Sequence, residues 1–353
     1  MHSPKKYKLL CYADSPSAST GFGTVSKNVL KELYKTGRYN IDVLGINYYG
    51  DFLDPVEYPY QITPAKLLEP DDPFGKRMFI RALQKNDYDI VWILNDTFVV
   101  EGVVPSLKKV LEEKRAHGHK VPKIIFYYPV DCAVLPDFSG MIKLADVAVC
   151  ITEHGKAETL KTIPDLDKEL PVIYHGTDTI IFHPIDAGSR QFWRARQLNV
   201  KDPETFVFIN VNRNSVRKDI PRSILAFKQF KQEVPNSLMY IHCAPRDNNI
   251  DLIQVCKSLG LQNKTDIVFP GNFNLADGGF PVEALNNFYN AADCFLTTTL
   301  GEGFGITAVE AMATGIPVIA PNNTSTPELL GKDGERGYVY ECSDLCWIDN
   351  SGL

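Results

Sequence analysis

Short apolar runs rich in β-branched and aromatic residues alternate with amphipathic stretches along the whole chain. In the first half the runs are KLLCYAD, IDVLGIN, DIVWILN, KIIFYYP, DVAVCIT and PVIYH; in the second they are TFVFINVN, SLMYIHCAP, DIVFPGNF, DCFLTTT and IPVIAP. Most are apolar at successive positions, the mark of strands covered on both faces. Apolar spacings of three and four predict helices over Val25–Tyr34, Phe74–Leu83 and Val103–Leu111, and later over Ile220–Glu233, Ile250–Leu259 and Val282–Ala291. Buried strands separated by helices predict parallel sheets, so the fold class is α/β with two Rossmann-like, doubly wound parallel-sheet domains.

The intervening segment HPIDAGSRQFWRARQLNVKDPETF is polar and lacks sustained alternation, which places a domain boundary near Asp186 and gives domains of residues 1–185 and 186–353. The length of 353 residues agrees, because one hydrophobic core seldom grows beyond about 250–300 residues. Open sheets of this kind bind ligands outside the carboxyl ends of their strands, so two domains facing each other predict a central cleft.

Composition narrows the function classes. A formal charge of -6 argues against a nucleic-acid partner, which normally meets a basic excess. Of eight cysteines, Cys11, Cys150 and Cys294 lie inside strand-like runs, where cysteine serves as a small buried hydrophobe. No CxxC pair occurs, and the Cys342–Cys346 spacing lacks the partners of a tetrahedral zinc site, so no metal is expected. This usage points to a reducing cytoplasm. The N-terminal apolar run before Asp14 is too short for a signal peptide, and no stretch approaches the roughly twenty apolar residues of a membrane span.

The densest candidate chemistry is GEGFGITAVEAMATG, residues 301–315, set between two strand-like runs. Ile306, Val309, Met312 and Ala313 recur at helical spacing, so a helix opens near Gly305 and stops before Gly315, with Pro317 beyond it. Glu302 then lies in a glycine-rich loop and Glu310 within the helix. Taken alone, the stretch also admits the plainer reading of a tight turn and a packed helix with two solvent-facing glutamates. The E-x7-E pattern, with GFG after the first glutamate and EAMA around the second, resembles the donor-binding signature of retaining glycosyltransferases of family 4 (glycosyl transferases group 1), which have the GT-B architecture.

Four further stretches match in the same order. NVNRNSVRKDI places Asn212, Arg213 and Lys218 just after a strand, where the family has an arginine and a lysine that hold the donor's diphosphate. VIYHGTDTIIFHP carries His175, Gly176, Asp178, Phe182 and Pro184 at the positions of the segment that ends the family's N-terminal domain. TSTPELLG, with Glu328, resembles the segment after the last core strand, and SPSASTGFGTVSKNVLKEL puts Gly21 and Gly23 at the family's glycine-rich loop near the donor phosphates. The resemblance implies a nucleotide-diphosphate sugar as substrate, with Glu310 on the ribose hydroxyls and Glu302 on hydroxyls of the transferred sugar. Phe304, Gly305, Ile306 and Thr307 would face the sugar and phosphate. It implies no required cofactor, and a glycan, lipid or other hydroxyl acceptor. The charge pattern fits, since a fixed guanidinium and an ammonium stabilise a departing diphosphate.

Two departures stand out. Members commonly carry a histidine near the transferred sugar, whereas FYYPVDCAVLPDF offers Asp131, which reads equally as a sugar contact or acceptor base and as a loop aspartate that caps the next element. His154 is an outside candidate. Members also continue past the last strand through further helices, while this chain stops at CSDLCWIDNSGL, as a short form or truncated product would.

The triplet Asp165-Leu166-Asp167 reads as surface loop, not as a metal-binding DxD. A nicotinamide oxidoreductase is disfavoured, because Ser26 stands where Gly21-Phe22-Gly23 would need its third glycine. A sugar-nucleotide epimerase and a binding module without turnover remain as alternatives. Base recognition is expected from Cys243–Asn249 and Gly271–Asn274, which spell no readable code. Basic segments such as SLKKVLEEKRAHGHK resemble those that peripheral members lay on anionic lipid, a weak membrane contact for which a solvated helix face is the plainer reading.

Overall fold

The computed structural model describes residues 6–66, 71–271, 280–331 and 333–342. The chain divides into two compact units, Met1–Tyr174 and His175–Leu353. Cys346, residues 272–274 of the loop expected to read the base, and the chain end from 343 onward lie outside the described residues.

In the first unit, strands Tyr7–Asp14 (β1), Tyr39–Ile46 (β2), Gln61–Pro64 (β3), Ile90–Leu94 (β4), Lys123–Tyr128 (β5) and Val147–Cys150 (β6) form one sheet in the order β3-β2-β1-β4-β5-β6. Every neighbouring pair is parallel. The connecting helices are Gly21–Lys35 (α1), Lys76–Lys85 (α2), Thr97–Glu101 (α3), Val104–Ala116 (α4), Gly140–Leu144 (α5) and Glu153–Thr162 (α6). Both residue parities of the strands are buried, which is why they read as continuous apolar runs. Leu10, Tyr12, Val91, Ile93, Phe126 and Tyr128 meet Phe79 and Leu83 of α2 and Leu107 and Leu111 of α4 in one cluster. Within it, Tyr12 stacks on Phe79 with ring centroids 4.5 Å apart.

The second unit repeats the plan. Its strands are Phe206–Val211 (β7), Ser237–His242 (β8), Arg246–Asp247 (β9), Ile250–Asp251 (β10), Ile267–Val268 (β11), Cys294–Leu296 (β12), Val318–Pro321 (β13) and Tyr338–Tyr340 (β14). Its helices are Ala187–Leu198 (α7), Ile220–Glu233 (α8), Leu252–Ser258 (α9), Val282–Ala291 (α10), Ile306–Ala313 (α11) and Thr326–Leu330 (α12). The sheet runs β11-β8-β7-β12-β13-β14, with β9 and β10 set aside as an antiparallel hairpin. Counted within its own unit, that is the strand order of the first sheet. In each, the order reverses beside the first strand, at the point where open α/β sheets bind ligands. Ile220, Ile224 and Phe227 of α8 pack with Phe208, Cys294 and Leu296. Ala308 and Ala311 of α11 pack with Ile209 and Phe295 instead. Because side chains alternate along a strand, α8 and α11 cover opposite faces of the β7–β12 pair.

The polar stretch after Asp186 is where observation departs most from the sequence pattern. It forms α7, capped by Asp186, whose carboxylate accepts from Ser189 N at 3.0 Å. Its inner face is built on charge. Arg194 is 1% exposed and donates to Asp293 Oδ2 and to Ala291 O, each at 3.1 Å, and to Thr205 O. Asp293 also takes Arg190 and the Val207 backbone N–H at 2.8 Å. Residues 175–185, which the sequence pattern assigned to the first domain, also pack here. Phe182 joins this unit's core, His183 N and Ile185 N donate to Asn286 and Asn290 of α10 at 3.1 and 3.0 Å, and Asn290 returns a bond to His183 O at 2.9 Å.

Among the described residues no helix is long and apolar enough to cross a membrane. Among the described residues no cysteine is in a disulfide, and Cys11, Cys150, Cys243, Cys256 and Cys294 are buried.

Removing the carboxylate that neutralises buried Arg194 strands a charge in the interior. Asp293→Ala is expected to destabilise the second unit by about 3 kcal/mol in denaturant titration, whereas a change at exposed Arg196 should alter it by less than about 0.5 kcal/mol.

Candidate functional site

At the switch point of the second sheet, two loops leave neighbouring strands. One runs from β7 through Asn212 to Asp219 and enters α8; the other runs from β12 through Thr297 to Gly305 and enters α11. Because α8 and α11 lie on opposite faces, the loops diverge, and polar bonds across the gap hold them in register. Asn210 donates to Leu296 O at 2.9 Å and accepts from Asn212 at 3.0 Å. Thr298 Oγ1 donates to Asp219 O at 2.7 Å, and Leu300 N donates to Arg217 O at 2.8 Å. The buried hydroxyls of Thr297, Thr298 and Thr299 are therefore wiring between loops.

Glu302 sits where the loops meet. Lys218 Nζ donates to its Oε1, while Arg217 Nη1 donates to its Oε2 at 3.3 Å and to Gly301 O. Burial opposes ionisation of this carboxyl, but Lys218 and then Arg217 outweigh it and hold the group below the usual carboxylate range. A third loop, after β13, clamps its backbone: Glu302 N donates to Thr324 Oγ1 at 2.8 Å, and Ser325 Oγ reaches Glu302 O and Phe304 O at 2.9 and 2.8 Å. Glu302, Thr297, Phe304, Gly305, Thr307 and Leu329 help line a recess of about 300 Å³, counted to its open mouth.

Gly305 opens α11 with φ of 103°, a left-handed conformation that a Cβ resists; that Cβ would also stand 3.2 Å from Leu329 Cδ1. Glu310 follows on the buried side of the helix and accepts from Tyr289 Oη at 2.8 Å. Burial pushes its carboxyl up to about 7, against the opposing pull of the Tyr289 hydrogen bond. The two glutamates thus differ in state: Glu302 is a paired carboxylate, and Glu310 titrates near neutrality.

Arg213 does not join this cluster. It pairs with Asp247 of β9 at 2.9 Å and is largely exposed. Arg217, absent from the sequence-based candidates, takes the place beside Lys218. The His175 and Phe304 rings meet at 70° with centroids 5.1 Å apart, and burial lowers the imidazole to about 4, so it is neutral at physiological pH.

The first unit places Gly21 and Gly23 inside the opening turn of α1 and not in a loop. Thr20 caps this helix, accepting from Gly23 N at 3.0 Å and donating to Asp14 Oδ2 at 2.5 Å. A Cβ on Gly23 would fall 2.2 Å from Ala18 O, so close packing already requires glycine there. Asp131 lies half-buried in the loop after β5; the carbonyl of adjacent Cys132 is 3.2 Å from His154 Nε2, which joins the loops that hold both sequence candidates. Among the described residues no three His, Cys, Asp or Glu side chains converge as metal ligands.

Residues 191–345 match the family model described as Glycosyl transferases group 1. An uncharacterised glycosyltransferase of Methanocaldococcus jannaschii is 21% identical over 353 residues, covering 95% of this chain and 85% of the relative. Sucrose-phosphate synthase from Thermosynechococcus elongatus superposes with a TM-score of 0.68 at 16% identity, over 97% of this chain and 87% of that one. The Anabaena protein HepE, solved with UDP and glucose, gives 0.64 at 16% identity, over 95% and 86%. The fold is that of GT-B glycosyltransferases.

Two substitutions probe the geometry. Gly305→Ala should cost about 1–2 kcal/mol in thermal or denaturant unfolding through its left-handed φ. Glu310 behaves differently, because its folded-state value is raised: the stability associated with it is complete below about pH 4.5 and is lost as pH rises through about 7. Glu310→Gln should therefore gain on the unsubstituted protein, on the order of 3 kcal/mol, between about pH 4 and about pH 8.

Proposed function

We propose that the chain is a retaining glycosyltransferase of family 4. It moves a hexose from a nucleotide-diphosphate sugar, GDP- or UDP-linked, to a hydroxyl of a glycan, lipid or other acceptor. The observation that carries this reading is the charge arrangement at the β7–β12 switch point, where Lys218 and Arg217 converge on Glu302 one helical entry away from Glu310. Basic groups suit phosphates and carboxylates suit sugar hydroxyls, and here both stand at the place where doubly wound sheets bind nucleotides. The match of residues 191–345 to the glycosyl transferases group 1 model supports it, as does likeness to a protein solved with UDP and glucose.

In this reading the ribose diol donates to Glu310, and a carboxylate with two acceptor oxygens meets both hydroxyls. Lys218, with Arg213 brought over from its exposed pair with Asp247, takes the diphosphate. As the anomeric bond lengthens, negative charge collects on the departing phosphate, and fixed cations stabilise it where it grows. These cations fill the role a divalent metal plays in other transferases, so the reaction is metal-independent. Glu302 orients the sugar through its hydroxyls, assisted by Asn212 and by the backbone of Phe304, Gly305, Ile306 and Thr307. No side chain serves as covalent nucleophile; the acceptor enters on the face the diphosphate leaves, which retains the anomeric configuration. Asp131 acts in the first unit as the acceptor-side base or as a sugar contact. The protein works in the cytoplasm, and the basic segments of the first unit make a weak contact with anionic membrane.

Incubation with a panel of GDP-, UDP- and ADP-sugars tests this. One donor class should bind and undergo slow hydrolysis with retained configuration, and Lys218→Ala and Glu310→Ala should each weaken binding about 10- to 100-fold, the range for losing a charge-assisted hydrogen bond. Interconversion of sugars would favour an epimerase, binding without turnover a sensor, and absence of binding would remove the reading.

A further inference from the structure

Lys218 cannot give its full charge to Glu302 and to a diphosphate at once. We propose that Arg217 is a positioning residue of this site: its guanidinium keeps Glu302 placed and ionised while Lys218 turns from that carboxylate to the donor's phosphates. The inference rests on the function proposed above and extends it to a residue that neither touches the phosphate nor was visible as a candidate in the sequence.

The geometry separates the two cations. Lys218 takes Glu302 Oε1, and Arg217 takes Oε2 together with Gly301 O, so each occupies its own oxygen. An ammonium on a four-carbon stem can rotate to a new acceptor, whereas a planar guanidinium spread over two acceptors is held in place. The backbone of Arg217 is fixed as well, since its carbonyl accepts from Leu300 N at 2.8 Å and Thr299 Oγ1 at 3.3 Å. Arg217 thus bridges the β7 loop to the β12 loop from both its ends.

The charges explain why a second cation is needed. A diphosphate brings about two negative charges to a buried carboxylate. If Lys218 were the sole partner, its departure would leave Glu302 unpaired beside an anion, and the carboxyl would take up a proton or move away. Among the described residues the neighbouring charged groups do not replace it: Arg222 at the start of α8 is paired with Asp219, and Glu310 on α11 and Glu328 on α12 are themselves acidic. Arg217 is the group positioned to hold Glu302 as an anion able to accept sugar hydroxyls.

Arg217→Gln and Arg217→Lys in the full chain test this by two readouts. Carbon NMR of labelled glutamate should show Glu302 titrating at higher pH in Arg217→Gln, with Arg217→Lys restoring most of the wild-type value. In donor hydrolysis, kcat of Arg217→Gln should fall about ten-fold or more, its acidic limb should move up with the Glu302 titration, and KM should change less. Lys218→Gln is the converse: KM for the donor rises while Glu302, still held by Arg217, stays ionised at neutral pH. That variant also carries the test should Arg217→Gln fail to fold. An unchanged Glu302 titration and acidic limb in Arg217→Gln, or a Glu302 protonated at neutral pH in Lys218→Gln, would overturn the role of Arg217 alone. Failure of the unsubstituted protein to bind any nucleotide sugar would overturn this role together with the proposed function.

Discussion

The constraint on which the second unit depends is the parallel pairing of β7 with β12, made through Phe208 with Cys294 and Ile209 with Phe295. Strands so paired end side by side, but the helices that follow them lie on opposite faces, so their loops must part. The polar bonds between these two loops are a response to that parting. The threonine row, Asn210 and the Arg217 carbonyl span the gap near the sheet, and farther out Glu302 spans it with charge. A buried carboxylate with two cations is expensive to assemble from water, and it persists because the strand pairing delivers all three side chains to one place.

The sequence disclosed the architecture where burial is apolar and concealed it where burial is charged. Continuous runs identified the principal strands, and α8 and α10 have the bounds that their spacing predicted. Helix α7 was hidden because its inward face carries Arg194, a residue that patterning assigns to solvent, and the Asp293 that neutralises it lies ninety-nine residues away. The β9–β10 hairpin turns at Asn248-Asn249, which both adopt positive φ, and its strands of two residues each give alternation nothing to register. Strand β3, QITP, was too short and too exposed to stand out.

For the candidate site, Glu302 and Glu310 stood out in a glycine-rich turn and the helix after it, whereas Lys218 stood out only through the family resemblance. The states of the glutamates were not legible. A spacing pattern treats the two glutamates alike, while burial beside cations makes one a firm anion and burial beside a tyrosine leaves the other near neutrality. Arg217 escaped for a related reason: one basic residue next to another looks redundant until the carbonyl and carboxylate it joins are seen in space. Gly23 carries a second reason for its residue type, since its glycine answers to the Ala18 carbonyl before any ligand is considered.

Helix α10 ties two of these matters together. Asn286 and Asn290 grip residues 183–185 where the chain enters the unit, and Tyr289, between them in sequence, holds the carboxyl of Glu310. One short rigid element therefore serves both the integrity of the unit and the protonation of its candidate site. Mutational histories at positions 286, 289 and 290 are bound to be entangled, because residues sharing a helix and its partners do not contribute additively. A variant selected for a different ligand through Tyr289 would have to leave the grip on the chain untouched, so adaptation has less room here than on the exposed loops around Arg213.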